Sequence, residues 1–286
     1  MRRLPLMVLL CTACLATMTL AQDPHLPTSA VAGDETTIST SGNGQAILYL
    51  VGPGVASKRE ISLGEDIHLP SRELQNAGRY VVSVCSDACR SGSFYVAAAE
   101  PASLTFLVHP SRVPVGLSDA ISGVALPFDP FHNLVRVPMA ITFQLTSGKT
   151  AMMSRSVQTQ DGVAWFRTSS GKDAGVLHVV AAVDELSARR AVQQVASEPC
   201  NLRIKGQRTP KAILVETEPV RDCSGNPVPD GTIVTFTAAE ADGKSTVDAP
   251  IKQGVARAQI IVTKAAVISA ASGVVMGNEL RLGAQP

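Results

Sequence analysis

A repeated segment is the feature of this sequence that most restricts its fold. One copy begins at Asp129 and the other at Asp222, and the two align without a gap at an offset of 93 residues. Five residue types recur at matching positions in the two copies: Asp129 and Asp222, Asn133 and Asn226, Val135 and Val228, Thr142 and Thr235, and Phe143 and Phe236. A Gly-Val-Ala element also recurs, at 162–164 and 254–256. The chain therefore contains at least two copies of one domain of about 92 residues, the size of an immunoglobulin-like β-sandwich.

Short alternating runs of apolar residues predict that the chain is built from β-strands. Examples are residues 45–51, 80–84 and 104–108, and Gly, Asn and Pro separate such runs. No stretch shows the apolar period of a long helix, and only residues 71–77 could hold a helical turn. We therefore predict an all-β fold of tandem immunoglobulin-like β-sandwiches after an N-terminal signal peptide.

Two short linkers divide the predicted strands into three groups. Residues 97–102 are mostly Ala, and Ser197-Glu198-Pro199 marks a second boundary. The predicted parts are a signal peptide (1–21) and three sandwiches (22–99, 100–198 and 199–286). The first sandwich lacks the repeated segment, but its Tyr80 resembles the tyrosine that precedes a late strand in immunoglobulin-like domains. There the ring packs inward and the hydroxyl binds a backbone atom.

The N-terminus predicts export. Arg2 and Arg3 precede an almost wholly apolar stretch (4–20), and small residues at Thr19 and Ala21 favour cleavage after Ala21. An uncleaved anchor is one alternative, although 17 apolar residues are marginal for a membrane span. Lipidation at Cys14 is another, although the residues before it match a lipidation signal poorly. We expect an exported chain with no stable membrane span after cleavage, located in the periplasm, at the cell surface or in the medium.

Four cysteines remain after the leader is removed, and an even number in an exported protein predicts disulfides. Three pairings are possible, of which the local one, Cys85 with Cys89 and Cys200 with Cys223, is the simplest. Three residues separate Cys85 from Cys89, so the pair is not a CxxC redox motif. We interpret all four as structural.

The repeated turn also suggests a structural role for its residues. We expect Asp222 to accept hydrogen bonds from backbone amides and Gly225 to supply a positive φ angle, and Asn226 is a residue type that tolerates left-handed geometry. Asp129 and Asn133 occupy the matching positions in the upstream copy. The strand that follows places Val234 and Phe236 on one face, which predicts that both lie in a core.

Composition argues against several classes of activity. The formal charge is +1, with no basic cluster that would indicate a nucleic-acid partner. No two of the five histidines have the spacing of a metal-ligand pair, and neither a phosphate-binding loop nor a nucleophile elbow is present. Aromatic residues make up only 4% of the chain, which disfavours carbohydrate binding. We predict no catalytic residue, no cofactor and no metal site.

The third predicted domain resembles the bacterial immunoglobulin-like domains of invasin and intimin. The resemblance rests on Asp222, the turn 225–231, the strand segment 234–236 and the element 254–256. The second domain shows a weaker version, and the first shows none. The resemblance implies a non-enzymatic protein for cell-surface adhesion or display, with a protein or cell-surface partner. The alternative is a periplasmic or extracellular accessory module that scaffolds a larger complex.

Overall fold

The computed structural model describes residues 23–210, 212–262 and 264–283. The predicted signal peptide (1–21) and the alternative lipidation site Cys14 lie outside the described residues. None of the described residues belongs to a helix that is long and apolar enough to cross a membrane. The chain divides into two compact units, the first containing the described residues up to Glu100 together with Asp129–Asn133, and the second containing Pro101–Phe128 and the described residues from Leu134 onward.

The first unit is a sandwich of a five-stranded and a two-stranded sheet. The larger sheet has the strand order β1-β7-β6-β3-β4, with β1 parallel to β7, and β2 pairs with β5 in the smaller one. The strands are β1 Ser29–Val31, β2 Thr36–Ser39, β3 Gln45–Gly52, β4 Val55–Ser62, β5 Asp66–Leu69, β6 Gly78–Cys85 and β7 Cys89–Ala97. A 3₁₀ turn at Ser71–Glu73 lies in the segment where the sequence allowed a helical turn.

Tyr80 lies at the centre of the first core. Its ring is fully buried, packs 5.6 Å from the ring of Phe94 between centroids, and leaves no room for a Cβ atom on Gly52. Its hydroxyl donates a hydrogen bond to the Asn76 carbonyl oxygen at 2.9 Å. The predicted tyrosine corner is therefore confirmed, and the burial requires the bond because an unpaired hydroxyl in an apolar core would be unfavourable.

The second unit contains two sandwiches. In one, the sheet β13-β10-β8 faces the sheet β12-β11-β14-β15-β9; in the other, β16-β17-β20 faces β19-β18-β21-β22, with β23 also paired to β21. The strands of the former are β8 Ser103–His109, β9 Arg112–Pro114, β10 Ile121–Phe128, β11 Ala140–Ser147, β12 Thr150–Gln158, β13 Ala164–Thr168, β14 Gly175–Val183 and β15 Leu186–Val195. Those of the latter are β16 Ile204–Arg208, β17 Ile213–Thr217, β18 Ile233–Glu240, β19 Gly243–Pro250, β20 Arg257–Ile260, β21 Ala266–Ser272, β22 Val275–Met276 and β23 Leu280–Leu282.

Each sandwich of the second unit has its own apolar core. Phe106, Phe143 and Phe166 form the centre of the first, and Phe143 lies 5.9 and 4.8 Å from the other two ring centroids. Val234 and Phe236 are fully buried in the second, as predicted. Alternate residues of β18 and β21 face inward, which is the burial pattern of a strand with one face on a core. The all-β fold of tandem immunoglobulin-like sandwiches is thus confirmed, whereas the limits proposed for each domain remain predictions.

Candidate functional site

The segment at 222–226, called here the second Asp–Asn turn, is organised by the Asp222 carboxylate. Asp222 is buried, and its Oδ1 accepts hydrogen bonds from the backbone amides of Ser224 (2.9 Å) and Asn226 (2.8 Å). Gly225 has a φ angle of +88°, a conformation that a residue without Cβ adopts without strain. These contacts fit the roles expected for Asp222 and Gly225.

Asn226 does not use the left-handed conformation that its residue type tolerates, since it has no positive φ, and it acts through its side chain. Its Nδ2 donates to the Lys172 carbonyl oxygen at 2.7 Å, and its Oδ1 accepts from the Ala174 amide at 2.9 Å. Lys172 and Ala174 lie in the loop before β14, in the other sandwich of the same unit. The side-chain amide thus donates one hydrogen bond to the backbone of the neighbouring loop and accepts one from it, which is the pairing that a residue of an adjacent β-strand would make.

Asp222 makes a further contact, to the segment between the two sandwiches. Its Oδ2 accepts a hydrogen bond from the Ser197 amide at 3.0 Å. The Asn226 amide also binds Asp222, at 3.0 Å from Nδ2 to Oδ2, which fixes the orientation of the Asn226 side chain. A single five-residue turn therefore holds both the linker and a loop of the preceding sandwich, so it forms the joint between the two sandwiches of the second unit.

Residues 129–133, the first Asp–Asn turn, make the same set of bonds within the first unit. Asn133 Nδ2 donates to the Gln75 carbonyl oxygen at 2.7 Å, and Asn133 Oδ1 accepts from the Ala77 amide at 2.8 Å. Asp129 Oδ2 accepts from the Ala99 amide at 3.0 Å. His132 has a φ angle of +65° at the position that Gly225 occupies in the other copy. These bonds recur at matching positions of the two turns, so they belong to the repeated motif.

Hydrogen bonds control the ionisation of Asp222. Burial by itself would raise the pKa of this carboxyl, but the bonds from the Asn226 side chain and from the amides of Asn226, Ser197 and Ser224 outweigh that effect. The pKa of Asp222 is therefore lowered from its ordinary value, since each donor favours the charged form. At neutral pH the turn contains a buried carboxylate whose charge is spread over these donors.

Both cysteine pairs form disulfides, one within a hairpin and the other between the linker and a turn. Cys85 and Cys89 are directly opposite each other where β6 turns into β7, so this bond closes a hairpin. Cys200 and Cys223 join the linker to the second Asp–Asn turn. Both Cys200 and Cys223 are exposed to solvent.

A separate feature, the apolar stripe, lies on the outer face of the larger sheet of the first unit. It consists of the five large apolar residues that are exposed in the described part of that unit: Val31, Tyr49, Val51, Val81 and Tyr95. Val51 on β3 lies directly opposite Val81 on β6, and Tyr95 on β7 lies diagonally across from Val81. Side chains directly opposite each other on neighbouring strands contact one another, so Val51 and Val81 pack side by side. Arg79 and Ser93, which are joined by a hydrogen bond, lie between Val81 and Tyr95.

Each tyrosine of the apolar stripe has a cation beside it. Lys58 Nζ lies 5.9 Å from the centroid of the Tyr49 ring. Arg79 is directly opposite Tyr95, and its Nε donates to Ser93 Oγ at 3.1 Å. The predicted strands at 45–51 and 80–84 contain Tyr49, Val51 and Val81, but the strand pattern did not show that the stripe residues lie on one face of one sheet. No group of three or more His, Cys, Asp or Glu side chains that could hold a metal occurs among the described residues.

Solved structures of bacterial adhesins share the fold of this chain. The chain is similar to FdeC, an Escherichia coli adhesin, with a TM-score of 0.65 and 17% identity over 92% of this chain and 96% of that one. It is also similar to invasin, a bacterial integrin-binding protein, with a TM-score of 0.55 and 12% identity over 91% of this chain and 59% of that one. These likenesses confirm an invasin-type immunoglobulin-like fold. No protein-family profile matches the chain, and no curated protein matches it significantly.

Proposed function

We propose that this protein is an exported, non-enzymatic adhesin or display protein of the bacterial cell surface. Two adhesins with the same fold over more than nine tenths of the chain support this proposal. The immunoglobulin-like fold alone serves many unrelated functions. The proposal therefore depends on a binding face, and the apolar stripe is the observation that carries it.

The apolar stripe has the properties of a surface for protein recognition. Exposed large apolar residues are usually scattered singly, and a group of them on one face indicates a binding site. Here Ser83 and Ser91 lie at the edge of the group and Ser93 lies among its members, and the two tyrosines provide large contact area with few rotatable bonds. A face of tyrosines and serines around apolar residues can bind a partner without rearranging.

The partner expected for this face is a protein with carboxylates next to apolar side chains. Three of the five stripe residues are valines, which favour apolar side chains over the hydroxyl-rich surface of a sugar. Lys58 and Arg79 flank the two tyrosines, whereas Glu60 is the acidic residue on the outward side of β4. An acidic surface therefore complements the charges, and salt should slow its association.

Binding of the mature chain to intact cells and to immobilised matrix proteins tests the proposal. The double variant Tyr49→Ser/Tyr95→Ser removes both rings from the stripe but changes no core residue. Trp165→Ser is the matched control, since Trp165 is an exposed aromatic on β13 of the second unit. We expect the double variant to lose at least about tenfold in affinity and the control to lose less than about twofold. Equal losses in the two variants would exclude the stripe as the binding face.

Fractionation of cells that express the whole chain tests the location. Cleavage by protease added outside the cells is the expected result for a surface adhesin. Confinement to a soluble periplasmic fraction, together with co-purification of one defined partner, would instead establish the accessory module as the function.

A further inference from the structure

We propose that the Cys200–Cys223 disulfide is a redox-sensitive lock on the joint between the two sandwiches of the second unit. Cys223 directly follows Asp222, the residue that organises the second Asp–Asn turn. Cys200 lies in the linker, three residues after Ser197, whose amide binds Asp222. The disulfide therefore ties the linker covalently to the turn that already holds it by hydrogen bonds.

The linker runs beside the turn as a short antiparallel pair. Pro199 and Asp222 form a β-bridge, and the Cys200 amide donates to the Arg221 carbonyl oxygen at 3.0 Å. With the disulfide intact, the linker cannot separate from the turn by more than the reach of the bond. The bond from Ser197 to Asp222 is then protected from opening, because the disulfide holds the linker beside the turn. The bond from Ala174 to Asn226 is protected indirectly, because the linker continues from β15 of the sandwich that contains Ala174.

The first Asp–Asn turn has the same hydrogen bonds but no disulfide. The Ala99 amide binds Asp129 as Ser197 binds Asp222, and the Ala102 amide donates to the Phe128 carbonyl oxygen at 2.8 Å as Cys200 donates to Arg221. Ala102 and Pro130 therefore occupy the positions of the two cysteines. The chain thus contains an unlocked copy of the same contact, which serves as an internal control.

Apolar packing stabilises the first Asp–Asn turn, whereas a disulfide stabilises the second. The Phe131 ring packs on the backbone of Gly33, which leaves no space for a Cβ atom there. At the matching place in the second unit, Ser224 approaches Gly116 but offers only a hydroxyl. The second turn lacks this apolar contact, so its stability depends more on the disulfide.

Both cysteines are exposed, so a thiol reductant can reach them. One thiolate of a dithiol such as dithiothreitol attacks the disulfide, forms a mixed disulfide with one cysteine and releases the other as a thiolate. The second thiol of the reagent then displaces the remaining cysteine and closes an oxidised ring. Cys200 and Cys223 each gain one electron and, after protonation, one hydrogen. In an oxidising compartment the joint is locked, and a dithiol reductant unlocks it.

Amide hydrogen exchange on the mature chain, resolved to single residues, tests the proposal. Reduction should speed exchange at Ser197 and Ala174 by about thirtyfold to several hundredfold, the range expected when a loop of this size loses its cross-link. Exchange at the matching amides, Ala99 and Ala77, should change less than about twofold. The variant Cys85→Ser/Cys89→Ser, treated in the same way, keeps the lock as its only disulfide.

Two results would overturn the proposal. Unchanged exchange at Ser197 and Ala174 after complete reduction would show that the disulfide does not hold the joint. An equal rise at all four amides would show general destabilisation instead of a local lock. The variant Cys200→Ser/Cys223→Ser should show the fast exchange without any reductant. If that variant does not fold, the reduced Cys85→Ser/Cys89→Ser chain gives the same comparison from the folded state.

Discussion

Replacement of Asn226 by Ala tests whether one side-chain amide holds the joint of the second unit. The substitution removes the bond to the Lys172 carbonyl, the bond from the Ala174 amide and the bond to the Asp222 carboxylate. It leaves the backbone amide of residue 226, and hence its bond to Asp222 Oδ1, in place. The turn itself should therefore still form, while its hydrogen bonds to the neighbouring loop are lost.

The three lost bonds set the size of the effect. Each neutral bond contributes about 1 kcal/mol net, and the bond to the carboxylate about 1.5–3 kcal/mol, which gives an upper estimate of roughly 3.5–5 kcal/mol. Asn226 is half-buried and Lys172 is exposed, so water can replace part of what is lost. We expect a loss of about 2 kcal/mol in the free energy of unfolding, or roughly thirtyfold in an opening equilibrium.

Urea unfolding followed by circular dichroism gives the free energy, and amide exchange at Ala174 shows where it is lost. Asn201→Ala is the matched control, because Asn201 is an exposed asparagine in the same linker region. Asn133→Ala removes the equivalent bonds from the first unit and should speed exchange at Ala77 instead. The two substitutions together separate local from general effects.

The reasoning fails if Asn226→Ala lowers the free energy of unfolding by less than about 0.5 kcal/mol, the range of ordinary surface changes. It also fails if Asn201→Ala has an equal effect, or if exchange at Ala174 does not change. A loss below about 0.5 kcal/mol, or unchanged exchange at Ala174, would mean that solvent replaces the amide contacts completely and that the joint depends on other interactions.

Three further predictions follow from single positions. Gly33→Ala should lower stability by about 1–2 kcal/mol, since φ is +83° there and the new methyl group would overlap the Phe131 ring; calorimetry checks this. Tyr80→Phe should lower stability by about 1 kcal/mol because the Asn76 carbonyl loses its donor, and an unchanged melting temperature would contradict it. The pKa of Asp222 is lower in the folded than in the unfolded chain, so its stabilisation is present above the unfolded pKa and is lost as pH falls through the folded value. Opening of the joint, measured by amide exchange, should therefore increase below about pH 4 in the wild type. The same fall in pH should cause a smaller increase in Asp222→Asn, which lacks the carboxyl.

The sequence predicted the β-sandwich cores well because their pattern is local. Val234 and Phe236 alternate with polar residues and are buried, and Tyr80 occupies the corner expected from the turn before it. Alternation along a strand requires only that one face meets a core, so it can be recognised without knowing the partner strand.

The partners of the repeated turn could not be predicted in the same way. Asp222 and Gly225 act within their own turn, and their roles follow from local backbone chemistry. Asn226 binds backbone atoms of Lys172 and Ala174, about 50 residues away. Any residue type can offer those backbone atoms, so they leave no pattern in the sequence.

The sequence by itself determined the fold class, the repeat and the burial of Tyr80, Val234 and Phe236, since apolar alternation and turn chemistry act over a few neighbouring positions. Only the tertiary structure decided that Asn226 and Asn133 serve as clamps, that Cys200–Cys223 ties the linker to a turn, and that the exposed apolar residues of the first unit share one face. These features arise from which strands and loops lie side by side, and that arrangement depends on pairing between distant segments. Burial is a property of each strand's own pattern, whereas a joint or a binding face exists only after distant segments have been brought together.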